Sequence, residues 1–393
     1  MIANSFAVMP IMVLGALAVF IRAELDFGEV ELGLAVSIFF TCSAVLSVHG
    51  GRIAERLNPA RSMLLGVVGS CVSLLGIAVL ARSWATLVFF LVIAGFSNAV
   101  SLPGANLTLA RAIPPGRQGF AFGVKQASVP IATTVAGLMV PVIGFTLGWR
   151  WAFGLTSLFV VPFLFSLRFV PPVTPPPRGS RPRPDVANTT LFVLAVAAAF
   201  AVAVGSSLST FYVESAVSRG FGPEVAGYLL AVGGVAGATG RVLWGMLADR
   251  MGGGALRISA GVLLSGAIGV IGFALAERVL FLALSTLLVF AFGWAWNGLF
   301  HYAVVHHNPS APAVASGITM MGMRMGGIVG PFLFGVIVDR FGYDAAWVAS
   351  SVSLSLSATL FLIARSRIRS ARLQAESDRS EASNSDGADA GAA

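Results

Sequence analysis

Three basic side chains lie inside long apolar segments of this sequence, and their positions give the first indication of chemistry. They are Lys125, Arg241 and Arg324. An ionisable group inside a membrane is energetically costly, so a charge that is kept there is a candidate functional group. The deep parts of the apolar segments contain no Asp or Glu that could neutralise these cations. The sequence therefore predicts an anionic substrate as their counter-ion.

The two arginines have different alternatives. Arg241 precedes Gly245 by one helical turn, roughly 10 Å from the end of its segment. Its guanidinium could bind a carboxylate through two parallel hydrogen bonds, or its long side chain could snorkel to the lipid headgroups. Arg324 lies about twelve residues into its segment, where no headgroup is within reach. The alternative for Arg324 is a structural pairing with an acidic residue that the sequence does not identify.

Lys125 is the only lysine in the chain and is followed by Gln126. The two side chains could bind an anion together, or the ammonium could snorkel to the cytoplasmic surface beside Arg117. His49 and His301 lie near the cytoplasmic ends of two other segments. Either imidazole could carry a proton during transport, although a hydrogen-bonded interfacial histidine is the more common arrangement.

Polar and aromatic side chains that could line a cavity around these charges complete the candidate set. They are Asn98, Tyr212, Trp296 and Asn297. Aromatic rings at helical spacing more often pack a core than bind a ligand, which weakens the prediction for Trp296. Glu214 lies near the outer end of its segment and is interpreted as a solvated charge at the edge of a loop.

The composition predicts the transmembrane helices that must position these residues. The chain has 56% apolar and 11% charged residues and a mean hydropathy of +0.87, whereas soluble domains have about 25% charged residues. A bilayer core about 30 Å thick requires roughly 20 apolar residues per helix. Long apolar runs favour helices over the short alternating strands of a membrane barrel. The sequence predicts twelve transmembrane helices, at about 2–21, 31–50, 62–81, 84–109, 119–146, 150–170, 189–213, 224–248, 256–276, 279–304, 312–338 and 344–364.

The distribution of the arginines predicts how these helices are oriented in the membrane. Fifteen of them fall on one side of the predicted membrane: Arg52, Arg56, Arg61, Arg111, Arg117, Arg168, Arg178, Arg181, Arg183, Arg250, Arg257, Arg365, Arg367, Arg369 and Arg372. Six fall on the other side: Arg22, Arg82, Arg150, Arg219, Arg278 and Arg340. The positive-inside rule then predicts that both termini lie in the cytoplasm. We expect the protein in the plasma membrane. The net charge of +8 reflects topology, so we expect no nucleic-acid partner, and we predict no cleaved signal peptide.

The chain divides into four predicted regions. Residues 1–170 form a first six-helix bundle, and 189–365 form a second. Residues 171–188 are a Pro/Arg-rich cytoplasmic linker that cannot be helical. Residues 366–393 are polar and are predicted to be a disordered cytoplasmic tail. We expect a monomer that contacts the lipid bilayer.

The two bundles repeat one another at an offset of 194 residues. The segment Gly51-Arg-Ile-Ala-Glu-Arg56 corresponds to Gly245-Met-Leu-Ala-Asp-Arg250, and Pro115 and Gly123 have counterparts in Pro309 and Gly317. Duplicated halves are typical of transporters with a substrate site between them. We expect the charged turns to bind neighbouring helix ends when the cytoplasmic side is closed. The predicted gating residues are Gly51, Glu55, Arg56, Gly245, Asp249 and Arg250.

These turns resemble the loop that follows the second and eighth helices of major facilitator superfamily transporters, and the resemblance covers nearly the whole chain. The first copy departs from the pattern, with Glu55 where Asp is usual and Asn58 where Gly is usual. The segment Gly240-Arg-Val-Leu-Trp-Gly245 resembles the eighth-helix signature of the oxalate/formate antiporter and monocarboxylate porter group. That group also has a cation in its eleventh helix, a position similar to that of Arg324. The resemblance implies substrate binding by Arg241 and gating by the charged turns.

The prediction is therefore an all-α secondary transporter that moves a small organic anion, a carboxylate above all, by alternating access. Two alternatives within transport remain open: proton-coupled efflux of a drug or metabolite, and uptake of an inorganic or cyanate-like anion. A membrane sensor would need a folded cytoplasmic domain, which the sequence lacks. We predict no enzyme activity, cofactor or metal, since no phosphate loop, metal cluster or triad is evident. Cys42 and Cys71 are interpreted as buried thiols.

Overall fold

The computed structural model describes residues 2–47, 59–112, 118–166, 185–251 and 254–390. Every regular element within these ranges is a helix, so the prediction of an all-α protein is confirmed. We call residues 2–166 the N-terminal half and residues 185–390 the C-terminal half. Many apolar side chains face outward, among them Phe89, Trp151 and Ile268, which are 61%, 61% and 69% exposed. An apolar exterior of this kind suits a lipid environment.

The N-terminal half begins with a broken helix. Helices α1 (Ile2–Ala16) and α2 (Ala18–Leu25) meet at Leu17 with a bend of 68°. A π-helix, Val140–Gly144, extends α7. The remaining helices of this half are α3 (Glu29–Val45), α4 (Pro59–Leu80), α5 (Trp84–Ala112), α6 (Gln118–Gln126), α7 (Ser128–Met139), α8 (Trp149–Ser157) and α9 (Val160–Ser166).

The C-terminal half contains longer helices and a second π-helix, Val289–Gly293. Its helices are α10 (Asn188–Ser218), α11 (Pro223–Met251), α12 (Ala255–Ala274), α13 (Val279–Leu288), α14 (Asn297–His306) and α15 (Pro312–Ala390). Gly342 interrupts α15 with a φ of 80°, a left-handed conformation that glycine adopts without steric cost. The interruption divides α15 into two predicted spans. Eight of the described helices are long and apolar enough to cross a membrane, and the bent pair α1–α2 would make a ninth.

The structure differs from the sequence prediction at the C-terminus. Residues 366–390, predicted to be disordered, continue the last helix. The run Arg369-Ser-Ala-Arg-Leu-Gln-Ala-Glu376 is rich in residues with high helix propensity, which explains why polarity alone was a poor guide. Most of the predicted linker lies outside the described residues. Its last part is anchored, because the Ser310 N–H donates to the carboxylate of Asp185 at 2.8 Å. Hydrogen bonding by the side chain of Ser310, together with its N–H, lowers the pKa of that carboxyl.

The two halves meet along several pairs of helices. The most extensive are α3 with α15 and α7 with α11, and glycines allow close approach in both. A Cβ on Gly33 would lie 2.2 Å from the carbonyl oxygen of Pro331. A Cβ on Gly137 would lie 2.6 Å from the backbone nitrogen of Ala231. Small residues at helix contacts are a common packing device in membranes. This interface positions the candidate site.

Candidate functional site

Arg241 lies in α11 and reaches across the interface between the halves. Its side chain is buried, with the residue 2% exposed. The Nε and Nη2 atoms donate to the carbonyl oxygen of Trp294 at 3.1 and 2.9 Å. The Nη1 atom donates to the carbonyl oxygen of Gln126 in the N-terminal half. The guanidinium also stands 4.8 Å from the centroid of the Trp294 ring, a cation–π distance. All three guanidinium nitrogens are therefore engaged.

Local breaks in two helices explain why these carbonyls accept from Arg241. In a regular α-helix the carbonyl of Gln126 would accept from the N–H of residue 130, but Pro130 has no N–H. In the C-terminal half, the π-helix Val289–Gly293 is followed by a turn at residues 294–296, which takes the carbonyl of Trp294 out of the regular ladder. An unpaired carbonyl is costly in an apolar interior. The guanidinium of Arg241 satisfies both.

Arg324 forms a second contact between the halves. Its Nη1 atom donates to the carbonyl oxygen of Ser43 at 2.9 Å and lies 3.4 Å from the Ser43 hydroxyl. Because α3 ends at Val45, this carbonyl is one of the last four of the helix, which lack an intrahelical donor. A cation there also interacts favourably with the helix dipole. The Ser43 hydroxyl in turn donates to Oδ1 of Asn98 at 2.7 Å. Unlike Arg241, Arg324 keeps Nε and Nη2 without an acceptor among the described residues.

Lys125 lies in α6, beside the contact that Arg241 makes. Its ammonium has neither a hydrogen-bond acceptor nor a carboxylate partner in the part of the chain that the structure describes. Both Lys125 and Arg241 are close enough to His301 to interact with it electrostatically. The Nδ1 atom of His301 lies 2.8 Å from the carbonyl oxygen of Asn297. Oδ1 of Asn297 is buried and has no partner within the described ranges. This junction is thus basic and carries unused hydrogen-bonding groups.

Two of the predicted site residues belong instead to the packed interior of the C-terminal half. The hydroxyl of Tyr212 is hydrogen-bonded to that of Thr286, and Trp296 packs on the rings of Phe300 and Phe361. Tyr212 is 1% and Trp296 0% exposed. Large aromatic rings stabilise a core most where all their surface is covered. Both side chains thus pack the interior of the C-terminal half, although Nε1 of Trp296 has no hydrogen-bond partner among the described residues, and substrate binding by Tyr212 and Trp296 stays a prediction.

The predicted gate can be followed only in part. The first charged turn and the neighbouring histidine lie outside the described residues: Gly51, Glu55, Arg56 and His49. In the second copy, Gly245 is buried in α11, and Asp249 and Arg250 follow in its last turn. The side chains of Asp249 and Arg250 are outside the described part. Gating by these turns stays a prediction.

Sequence reasoning missed an ionic contact at the other end of the bundle. Arg22 in α2 donates through Nη1 to the carboxylate of Glu214 in α10, and its Nη2 lies 2.9 Å from Oε2 of Glu29. The side chain of Glu214 is only 13% exposed, so the interpretation as a solvated charge is wrong. Its position one turn inside the end of α10 was the available signal, because that turn packs against α2.

The described residues contain no group of three or more potential metal ligands. Cys42 and Cys71 are free thiols and are half-buried, so they are less enclosed than predicted. Two apolar grooves, of about 560 and 730 Å³, lie between α10 and α15 and between α11 and α13. None of the candidate cations lines either groove. Their walls include the exposed side chains of Met321 and Leu243, so both grooves open towards the apolar exterior.

A comparison with known protein families establishes what kind of protein this is. The family model described as the Major Facilitator Superfamily matches residues 1–331. The chain belongs to this superfamily. The predicted fold of twelve helices in two bundles is the fold of the superfamily, and the chain is accordingly a multi-pass membrane transporter rather than an enzyme.

Individual relatives within the superfamily carry different functional names. The chain is 27% identical over 352 residues to an MFS-type efflux pump of Mycolicibacterium smegmatis, covering 82% of this chain and 79% of the relative. It is 25% identical over 375 residues to the probable sulfoacetate transporter SauU of Cupriavidus necator, covering 86% of each. The multidrug resistance protein MdtG of Dickeya zeae is 23% identical over 341 residues, covering 83% of this chain and 82% of the relative. These relatives do not confirm the narrower resemblance to the oxalate/formate and monocarboxylate group.

Solved structures support the fold. A bacterial homologue of the human lysosomal transporter Spinster, in an inward-facing and unoccupied conformation, gives a TM-score of 0.72 at 16% identity and covers 94% of this chain and 96% of its own. The occupied form of that homologue gives a TM-score of 0.66. At this identity the likeness concerns the fold alone.

Proposed function

We propose that this superfamily member is a secondary transporter of a small organic anion, and that Lys125 and Arg324 supply the charges that bind it. The observation that carries the proposal is that both side chains have unused donors. The Lys125 ammonium and the Nε and Nη2 atoms of Arg324 lack acceptors among the described residues. Both residues are half-buried. A cation partly withdrawn from water without a partner is unfavourable, and an anionic substrate would satisfy it.

The proposal changes the role predicted for Arg241. Each guanidinium nitrogen already donates to a backbone carbonyl and the residue is 2% exposed, so little of the group is accessible to a ligand. We propose that Arg241 positions the site by holding α11 against the end of α6, while Lys125 next to Gln126 faces the substrate. Asn297, with its unpartnered Oδ1, would accept a hydrogen bond from a substrate hydroxyl or from a protonated acid.

The name of one relative supports an anionic substrate. Sulfoacetate, the named substrate of the Cupriavidus relative, carries a sulfonate and a carboxylate, and two acidic groups match two cations. Each charged hydrogen bond contributes about 1.5–3 kcal/mol. Because 1.4 kcal/mol is a tenfold change in affinity, loss of either cation should weaken binding by about 10- to 100-fold.

Uptake into proteoliposomes tests the proposal. Radiolabelled formate, oxalate, lactate, pyruvate and sulfoacetate would be offered to the wild type and to Lys125→Met and Arg324→Gln. We expect saturable uptake of at least one anion, and a KM raised about 10- to 100-fold in each variant. Arg257→Gln is the matched control, because Arg257 is exposed at the start of α12 and should transport as the wild type does. Normal KM values in both variants would contradict the proposed site.

A second candidate is efflux of a drug or metabolite, which the names of the Mycolicibacterium and Dickeya relatives favour. Efflux predicts the opposite result in the same proteoliposomes. A hydrophobic cationic dye would be extruded against its gradient, and none of the five anions would move. Extrusion of the dye with no anion uptake would replace anion transport by efflux.

A further inference from the structure

The cluster around Arg22 joins the two halves at the end of the bundle where α2 and α10 end. Arg22 contacts three acceptors: the carboxylate of Glu214, the carboxylate of Glu29 at 2.9 Å and the carbonyl oxygen of Phe27, 3.1 Å from Nε. Glu214 lies in the C-terminal half, whereas Arg22, Phe27 and Glu29 lie in the N-terminal half. The guanidinium is thus held on its own half by two contacts and on the opposite half by one.

Among the described ion pairs, only Arg22–Glu214 crosses between the halves. The pair Arg150–Glu24 lies within the N-terminal half, and Arg219–Asp344 lies within the C-terminal half. The side chains of Arg22 and Glu214 are 15% and 13% exposed, so water and salt screen this pair less than a surface pair. Its presence or absence therefore bears directly on whether the halves stay together at this end.

The charges in the cluster do not balance. Two carboxylates share one guanidinium, and like charges placed close together favour protonation of one of them. Oε2 of Glu214 is buried with no hydrogen-bond partner among the described residues, and the hydroxyl of Tyr343 is in the same condition. Tyr343 interacts electrostatically with Arg22, Glu29 and Glu214. These four are the titratable and charged groups that the described helices bring to the cluster.

We propose that Glu214 is a proton-binding site that controls the contact between the two halves at this end of the transporter. A proton from water binds Oε2 of Glu214 and converts the carboxylate to a neutral carboxyl group. Arg22 keeps its charge and its contact with Glu29, but its attraction to the opposite half falls. Protonation thus favours separation of α2 from α10, and deprotonation favours their contact.

This inference concerns a proton and a conformational change, so it does not depend on which substrate the transporter moves. The test accordingly measures distance in the absence of substrate. Spin labels would be attached at Arg82→Cys and Glu277→Cys, exposed positions in loops of opposite halves at this end. Cys42 and Cys71 would first be replaced by serine. Electron–electron distances in lipid nanodiscs would then be recorded from about pH 5 to 9, a range wide enough for a buried carboxyl group.

In the wild type we expect the fraction with a long distance to increase as the pH falls. Glu214→Gln, which mimics the protonated form, should show the long distance at every pH. Glu29→Gln removes the competing carboxylate, so Glu214 should stay ionised to lower pH, and the transition should move down by about one pH unit. Because these two variants predict opposite shifts, a general loosening of the fold cannot reproduce both results.

Glu24→Gln is the matched control. It removes the same kind of group from α2, the helix that carries Arg22, but its partner Arg150 lies in the same half as Glu24, so the wild-type transition should be retained. The proposal would be overturned by a wild type whose distances do not change with pH. It would equally be overturned if Glu214→Gln kept the pH-dependent transition of the wild type, or if Glu29→Gln moved the transition upward.

Discussion

Replacement of Pro130 by alanine gives a direct test of how Arg241 is held. Alanine restores the N–H that proline lacks, so the carbonyl of Gln126 gains an intrahelical donor. The Cβ atom that packs near Gly237 is kept. The hydroxyl of Thr134 also keeps its bond to the carbonyl of residue 130, 3.1 Å long. The substitution therefore acts chiefly on the carbonyl of Gln126, which accepts a hydrogen bond from Arg241 of the other half.

The free energy of unfolding of Pro130→Ala alone does not isolate the contact between Arg241 and Gln126, because two effects of similar size oppose each other. Removing proline from a helix interior gains up to about 3 kcal/mol, and losing two buried ring carbons costs about 1.6 kcal/mol. A double-mutant cycle with Arg241→Gln cancels both effects. It also cancels the loss of the Trp294 contacts, which is the same in either background. What remains is the interaction energy of the hydrogen bond from Nη1 of Arg241 to the carbonyl of Gln126. Double-mutant cycles in membrane proteins indicate about 1 kcal/mol for such a bond.

Reversible unfolding in mixed micelles, followed by the fluorescence of the seven tryptophans, provides the four free energies of unfolding. We expect Arg241→Gln to cost about 1 kcal/mol less in the Pro130→Ala background than in the wild type. Pro141→Ala supplies the control cycle, because Pro141 lies in the π-helix after α7. The carbonyl four residues before it, that of Gly137, accepts from the N–H of Val140 and from no arginine among the described residues. Additivity within about 0.5 kcal/mol in the Pro130 cycle would refute the proposed role of the proline.

Two further predictions concern packing within and between the halves. Tyr212→Phe removes the hydroxyl contact with Thr286 and should lower the free energy of unfolding by about 1 kcal/mol without changing KM; a raised KM would support substrate binding by Tyr212 instead. Gly33→Ala places a Cβ 2.2 Å from the carbonyl oxygen of Pro331 and should destabilise the protein by about 1–3 kcal/mol, measured by thermal unfolding. Gly317→Ala is its control, since nothing lies within 4 Å of a Cβ there, and equal effects at both positions would disprove the close-approach argument.

Much of the architecture follows from local properties of the sequence. Runs of about 20 apolar residues determine the membrane helices, because no other open structure satisfies backbone polar groups in lipid. The absence of deep carboxylates identified Lys125, Arg241 and Arg324 as a group of unusual cations. The unpaired carbonyl of Gln126 is also encoded locally, since it depends only on a proline four residues later. The C-terminal helix shows the limit of this approach, because polarity was given more weight than helix propensity.

The roles of individual charges depended on contacts between residues far apart in the chain. Arg241 and Gln126 are separated by 115 residues. Only the folded interface shows that each guanidinium nitrogen of Arg241 already donates to a backbone carbonyl, whereas Lys125 and Arg324 keep nitrogens without an acceptor among the described residues. Glu214 contacts Arg22 although 192 residues separate them in the chain, so a residue interpreted as a solvated loop charge belongs to a partly buried ion pair. Sequence periodicity indicates which side of a helix is apolar. The partner that faces a given polar group is decided by how the two halves pack, and that packing settles which groups remain unsatisfied.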